Sequence, residues 1–116
     1  VTIVTAADPS FHQHLGTLAP FREGIAEQLD PQADLREGMA RTNALIQIGY
    51  LIVGLRAAGL SVGPMTGFDA AGIDAEFFGE SGWRTLVAIN VGYPADEGAH
   101  FPRQARLDFH QVAEVL

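Results

Sequence analysis

A helix that is apolar on every side is predicted by Leu45-Ile46-Gln47-Ile48-Gly49-Tyr50-Leu51-Ile52-Val53-Gly54-Leu55. A helix of this kind is buried on all sides in a folded protein. It is too short, and too closely bounded by Arg41 and Arg56, to span a membrane. A chain of 116 residues has room for one core and little material to surround such a helix. The sequence therefore favours the central helix of a dimer, and the alternative is the core helix of a monomer.

This helix is predicted over residues 34–58 and should stop at Gly59. Asp34 and Glu37 have the spacing of a capping box at its start. Three interior glycines each cost up to roughly 1 kcal/mol relative to alanine in a helix: Gly38, Gly49 and Gly54. Close packing against another backbone would offset that cost.

The elements around this helix are predicted to be short. We expect a strand over residues 1–6, a short helix over 11–18, a helix capped by Asp69 that ends at residue 77 or 78, and a strand over 83–91 that is covered on both faces. Residues 19–33 are predicted to be a loop with one weakly helical piece. The predicted class is α+β, with the central helix packed on a sheet.

Composition excludes several kinds of chemistry. The net charge is −7, and the chain has seven arginines but neither lysine nor cysteine. Schiff-base catalysis, disulfides, thiolate nucleophiles and iron–sulfur ligation are therefore excluded within these residues. Basic residues form no patch, so no nucleic-acid partner is expected. A cytoplasmic location is compatible with this composition. The chain begins at Val1, inside a β-like run, which suggests truncation.

Most catalytic motifs are absent, including the nucleophile elbow and the phosphate-binding P-loop. Every histidine is interpreted as solvent-facing, because none has further metal ligands in view: His12, His14, His100 and His110. Asp74 and Glu76 are two positions apart on a short helix and point in different directions. A catalytic pair of carboxylates is therefore not expected.

One candidate for ligand binding is the segment Gly63-Pro64-Met65-Thr66-Gly67-Phe68-Asp69. Its two glycines would let the backbone turn sharply and approach a flat ligand closely. Amides at such a turn can donate hydrogen bonds to a ligand heteroatom. The alternative is a plain connector between two helices, which is the commoner meaning of such a segment.

A second candidate is the segment Phe101-Pro102-Arg103-Gln104-Ala105-Arg106-Leu107. Two arginines in an otherwise acidic chain suit a terminal phosphate, which accepts charge-assisted hydrogen bonds. The alternative is two ordinary surface arginines, each paired with a neighbouring carboxylate at little gain in stability: Asp96, Glu97 or Asp108.

In their order along the chain, these motifs resemble the C-terminal half of the nitroreductase family. The resemblance rests on Gly59-Leu60-Ser61-Val62-Gly63-Pro64-Met65-Thr66-Gly67-Phe68-Asp69, Ile73-Asp74-Ala75-Glu76-Phe77, Asn90-Val91-Gly92-Tyr93-Pro94, Pro102-Arg103 and Arg106-Leu107. The first motif and the later Phe-Pro-Arg-x-x-Arg-Leu are similar to the malonic semialdehyde reductase branch, which forms 3-hydroxypropionate. The resemblance spans nearly the whole chain.

The resemblance implies an FMN-dependent oxidoreductase with the nitroreductase-like fold. Hydride would pass from NADH or NADPH to flavin N5 and then to the acceptor, while the protein supplies binding and amide hydrogen bonds. It also implies a homodimer with the flavin at the interface and the long helix at its core. The implied FMN-binding residues are the backbone of Pro64, Met65, Thr66 and Gly67, with Thr66 or Gly67 near N5, and the phosphate-binding Arg103 and Arg106.

Members of the family also have an N-terminal segment with an Arg-Arg-Ser-type motif that binds FMN, and nothing of this kind precedes Val1. The chain is therefore predicted to be the C-terminal part of one domain, residues 1–116, and to bind FMN weakly when isolated. Residues 19–33 would cover the acceptor. Two alternatives stay open: a broad nitroaromatic or quinone reductase, and a non-catalytic fragment or subunit that serves association only.

Overall fold

The computed structural model describes residues 1–95, 97–98 and 101–116. Its elements are β1 (Thr2–Ala7), a 3₁₀ turn (Phe11–His14), α1 (Leu15–Leu18), α2 (Ile25–Leu29), α3 (Ala33–Ala57), β2 (Ser61–Met65), α4 (Ala70–Phe77), β3 (Arg84–Gly92) and α5 (Phe109–Val112). The predicted α+β class is confirmed, and so are the first strand, the long helix and the last strand, each within about one residue of its predicted bounds.

The three strands form one antiparallel sheet in the order β1-β3-β2. β3 lies in the centre, with β1 along one side and β2 along the other. Along β2, Ser61 lies opposite Gly92, and Met65 lies opposite Ala88. A central strand is covered by neighbours and by a helix, which explains why its apolar run is nearly continuous. Ile89, near its middle, is fully buried.

Helix α3 packs one face on this sheet. Ile48 of the helix joins Val87 and Ile89 of β3 in the core, and further apolar side chains surround this cluster: Ile3, Ile52, Val62, Leu86 and Val91. Full burial of one such side chain contributes about 1.5–3 kcal/mol. Because only three buried residues form this cluster, the core of the described chain is small. It joins α3 to β3.

The start of α3 differs from the prediction. Its cap residue is Gln32, whose side chain makes no capping hydrogen bond. The prediction of a capping box formed by Asp34 and Glu37 is therefore wrong. The helix begins one residue earlier, which places Asp34 inside the first turn, where its charge still suits the helix dipole. Gly59, with a φ of +83°, follows the end of the helix as predicted. No helix in the described residues is long and apolar enough to cross a membrane.

Burial of α3 on all sides is not achieved by this chain alone. Only Ala40 and Ile48 are buried, because the small sheet covers one face of the helix. On the rest of the helix Ile46 is 56% exposed, Tyr50 77% and Val53 67%. The close backbone contact expected at the three helix glycines is also absent among the described residues, since an added Cβ would meet nothing within 4 Å. The structure thus leaves a broad apolar face on α3.

The last part of the chain extends away from the sheet. All residues from 101 to 116 are exposed, including Phe101, Leu107 and Phe109. Among the described residues, α5 contacts no other helix or strand. The radius of gyration is 18.3 Å, whereas a compact domain of this length has about 13 Å. The tail, residues 101–116, therefore adds nothing to the core of its own chain.

Candidate functional site

The predicted connector over residues 63–69 is divided between a strand and a turn. Pro64 and Met65 belong to β2, opposite Ile89 and Ala88 of β3. Gly63 lies inside β2, and neither Gly63 nor Gly67 has a positive φ, so the sharp turn predicted at Gly63 is wrong. A proline fits here because β2 is an edge strand, and its missing N–H costs no ladder hydrogen bond on the open side.

The backbone after β2 is open and able to donate. Residues 63–67 are exposed, and a Cβ added at Gly67 would meet nothing within 4 Å. Among the described residues, the amides of Thr66 and Gly67 donate no hydrogen bond in the turn. Unpaired N–H groups at an accessible turn are available to a ligand acceptor atom. We call residues 64–67, the end of β2 and the two residues after it, the turn; it offers two free amides, those of Thr66 and Gly67, at an exposed surface.

Helix α4 follows the turn directly and is capped as predicted. The Asp69 carboxylate accepts a hydrogen bond from the Gly72 amide at 3.0 Å, which satisfies one free N–H of the first helical turn. A Cβ at Gly72 would lie 2.6 Å from an oxygen of the same carboxylate. A side chain at this position would therefore displace the Asp69 carboxylate from its present place at the cap.

Asp74, further along α4, contacts the central strand. Its carboxylate accepts hydrogen bonds from the Thr85 amide at 2.8 Å and from the Thr85 hydroxyl at 2.6 Å. Both bonds hold the pKa of the Asp74 carboxyl below its ordinary value of 3.8, and the bond from the hydroxyl has the larger effect. Sequence reasoning excluded a carboxylate pair at Asp74 and Glu76, and it did not foresee that Asp74 links the helix to β3.

The two candidate arginines lie in the exposed tail. The Arg106 guanidinium donates to the carbonyls of Gln104 and Ala105, at 3.0 and 3.2 Å. Within the described residues, neither arginine forms an ion pair with Glu97 or Asp108. Asp96, the third suggested partner, lies outside the described residues. The guanidinium groups of Arg103 and Arg106 are thus accessible to solvent.

The turn and the arginines are not in contact among the described residues. The turn follows Met65, whereas the tail leaves the sheet after Gly92, opposite the other end of β2. These two ends of β2 are about 13 Å apart. The chain from Gly92 to Arg103 can span up to roughly 36 Å. The connection is therefore long enough for the arginines to approach a ligand that lies on the turn, and such a site stays a prediction.

A groove of about 600 Å³ lies at the end of the sheet away from the turn. Its polar groups include Arg56 and Asn90, and the Asn90 side chain accepts a hydrogen bond from the Thr2 hydroxyl at 2.7 Å. No pair of groups for acid–base catalysis is found among its described residues. The free amides of Thr66 and Gly67 lie outside this groove.

His12 is the histidine that departs from the prediction. Its side chain is only 2% exposed, because the 3₁₀ turn folds onto α2 and the start of α3. Nε2 lies 3.1 Å from an Asp30 oxygen, and a guanidinium nitrogen of Arg36 lies 3.1 Å from both ring nitrogens. His14 and His110 are exposed as predicted, and His100 lies outside the described residues. No described cluster of three or more side chains suits a metal ion.

Sequence comparison finds relatives that match the whole chain. A protein of Leptothrix cholodnii, provisionally named NADH dehydrogenase/NAD(P)H nitroreductase, is 41% identical over 116 residues, which is all of this chain and 58% of that protein. A protein of Streptomyces coelicolor with the same name is 43% identical over 107 residues, which is 92% of this chain and 52% of that protein. The chain thus spans somewhat more than half of these relatives. No protein-family model matches it.

Comparison of structures identifies the fold. A protein of Staphylococcus epidermidis, provisionally named as an NAD(P)H:FMN oxidoreductase, superimposes with a TM-score of 0.73 at 23% identity, over 99% of this chain and 61% of that one. A nitroreductase-named protein of Bacillus subtilis gives a TM-score of 0.74 at 17% identity, over 99% and 63%. This chain therefore has the nitroreductase-like fold that the motifs predicted, over the part that it covers.

Proposed function

We propose that this chain is part of an FMN-dependent oxidoreductase of the nitroreductase family that takes hydride from NADH or NADPH. Support comes from its match to nitroreductase-named relatives and from the shared fold. The observation on which the proposal depends is the exposed turn with its two unpaired amides, directly before a capped helix. When bound, FMN supplies the hydride chemistry, which amino-acid side chains cannot perform alone.

Two groups of residues would bind opposite ends of FMN. The amides of Thr66 and Gly67 would donate near N5, and Pro64 and Met65 would lie along the ring system. Preorganised amides of this kind stabilise negative charge that develops on a bound group. Arg103 and Arg106 would bind the phosphate through charge-assisted hydrogen bonds.

The proposed protein is a homodimer, with the apolar face of α3 covered by a second copy. A monomer rarely exposes a large contiguous apolar patch, and the exposed side chains on α3 are contiguous along the helix: Leu45, Ile46, Tyr50, Leu51 and Val53. The exposed apolar side chains of the tail suit the same interface. A cytoplasmic location stays a prediction from composition.

The proposed acceptor is a small aldehyde such as malonic semialdehyde, which would be reduced to 3-hydroxypropionate. This choice is supported by the form of the turn, Gly63-Pro64-Met65-Thr66-Gly67-Phe68-Asp69, and of the tail. The second candidate is a broad nitroaromatic or quinone reductase, which is favoured by the names of the relatives. The region over residues 19–33, which includes α2, is predicted to cover the acceptor.

Steady-state assays of the full gene product with NADH and NADPH would separate these acceptors. We expect kcat/KM for malonic semialdehyde to exceed that for a nitroaromatic or a quinone. The reverse order would favour the broad reductase. If the purified protein oxidised neither nucleotide with any acceptor, the oxidoreductase proposal would fail, and a role in association alone would be favoured.

A further inference from the structure

We infer that Asp74 is a positioning residue for the flavin-binding turn, which it holds in place by fixing helix α4 to the central strand. The inference rests on the proposed function, because it concerns how residues 64–67 meet the cofactor. Asp74 itself is not proposed to touch the flavin.

Both ends of the turn are attached to the same strand. Before the turn, Met65 pairs with Ala88 of β3. After the turn, Asp74 accepts two hydrogen bonds from Thr85 of β3. Ala88 and Thr85 lie about 10 Å apart along that strand. The open backbone of Thr66 and Gly67 is therefore held between two fixed points on the most buried strand of the protein.

The Asp74 carboxylate satisfies both hydrogen-bond donors of Thr85, its amide and its hydroxyl. Thr85 is 8% exposed, so its hydroxyl and amide need partners inside the protein. Asp74 supplies both bonds from one oxygen, Oδ1. Its charge makes these bonds stronger than bonds to a neutral acceptor. No other described side chain accepts a hydrogen bond from either group of Thr85.

The helix can transmit this restraint to the turn. α4 spans only eight residues and is rigid at its start, where the Asp69 carboxylate caps the Gly72 amide. A helix moves as one body over such a short length. If the bonds to Thr85 are lost, α4 can shift on β3, and its first residues shift with it. The amides of Thr66 and Gly67 would then be less well placed for N5.

The test compares four variants of the full gene product. Asp74→Ala removes both bonds, Thr85→Val removes only the hydroxyl, and Asp74→Asn keeps an acceptor oxygen without the charge. Glu76→Ala is the matched control, since Glu76 is an exposed acid on the same helix. The measurements are the FMN Kd, the midpoint potential of the bound flavin, and amide hydrogen exchange of residues 66–68 in the flavin-free protein.

For Asp74→Ala we expect the FMN Kd to rise about tenfold, the midpoint potential to fall, and exchange at residues 66–68 to speed up. Thr85→Val should give a smaller change in the same direction. Asp74→Asn keeps an acceptor oxygen but loses the charge, so it should also give a smaller change than Asp74→Ala in the same direction. Glu76→Ala should stay within about twofold of the wild type. If Asp74→Ala does not fold, Thr85→Val and Asp74→Asn, each compared with Glu76→Ala, decide the result.

Failure of this inference can be distinguished from failure of the proposed function. If the wild type binds FMN and Asp74→Ala and Thr85→Val alter neither the Kd, the potential nor the exchange of residues 66–68, the inference is wrong and the proposed function stands. An equal effect of Glu76→Ala would also overturn it. If the wild type binds no FMN, the proposed function fails, and the inference fails with it.

Discussion

At the scale of single residues, the buried His12 ring connects three parts of the chain. Its ring bridges Asp30, before α3, and Arg36, inside α3. The Arg36 Nε is buried beside it and has no hydrogen-bond partner among the described residues. The buried His12 ring therefore links the 3₁₀ turn to the exposed Asp30 at the end of α2 and to Arg36 of the long helix.

Replacement of His12 should destabilise the protein through this cluster. His12→Ala removes the partner of two polar side chains, and we expect a loss of about 1–3 kcal/mol in the free energy of unfolding. His14→Ala, at an exposed position two residues away, should change it by less than about 0.5 kcal/mol. Urea unfolding followed by circular dichroism would measure both. Equal effects of the two variants would show that the buried bridge contributes nothing.

The same scale shows which site residues the sequence could predict. The Asp69 cap was predictable, because its acceptor and its donor, Gly72, are three positions apart. The link from Asp74 to Thr85 joins residues eleven positions apart, and the His12 contacts span eighteen and twenty-four. Such contacts depend on how elements pack, which no local pattern specifies. They were therefore missed.

At the scale of elements, strand β3 and helix α3 were predictable because each has a long and consistent apolar pattern. Strand β2 was missed, since Gly63 and Pro64 indicate a turn when they are judged locally. Pairing with β3 overrides that preference, and the open edge accommodates the proline. The burial of α3 was overestimated, because the three-stranded sheet covers only one face of the helix.

The apolar face of α3 gives a prediction about assembly. Ile46→Arg places a charge on the exposed face of the helix. In the proposed dimer the charge would be buried without a partner, so we expect the full gene product to become monomeric. Gln13→Arg adds the same side chain at an exposed polar position of the 3₁₀ turn and should leave the dimer intact.

Sedimentation velocity at several protein concentrations would measure this effect. A wild type that sediments as a monomer at all concentrations would exclude the proposed dimer. A dimer that tolerates Ile46→Arg as well as Gln13→Arg would place the interface elsewhere on the molecule.

At the scale of the whole molecule, the order of the motifs predicted the fold better than any single motif did. The turn and the tail arginines are each weak signals, but their order along the chain predicted the fold that the structural comparison shows. The position of the tail could not be predicted, because all its residues are exposed and α5 packs on no other helix or strand of the described chain.

The proposed role of the tail can be tested by comparing the binding of FMN, which has a phosphate, with that of riboflavin. The double variant Arg103→Ala/Arg106→Ala should weaken FMN binding by at least about tenfold, since each charge-assisted hydrogen bond contributes roughly 1.5–3 kcal/mol. Riboflavin, which has no phosphate, should bind the variant and the wild type alike. Arg22→Ala, an exposed arginine outside the tail, is the control. An unchanged flavin content in the double variant would remove the cofactor role of the pair.

The central claim is that residues 64–67 and the tail arginines bind a single redox-active FMN. Its most direct test is an anaerobic absorption spectrum of the full gene product, purified with FMN present and freed of excess cofactor. We expect flavin bands that bleach when NADH or NADPH is added and return with an acceptor. A protein that retains no flavin, or flavin bands that neither nucleotide bleaches, would contradict the claim.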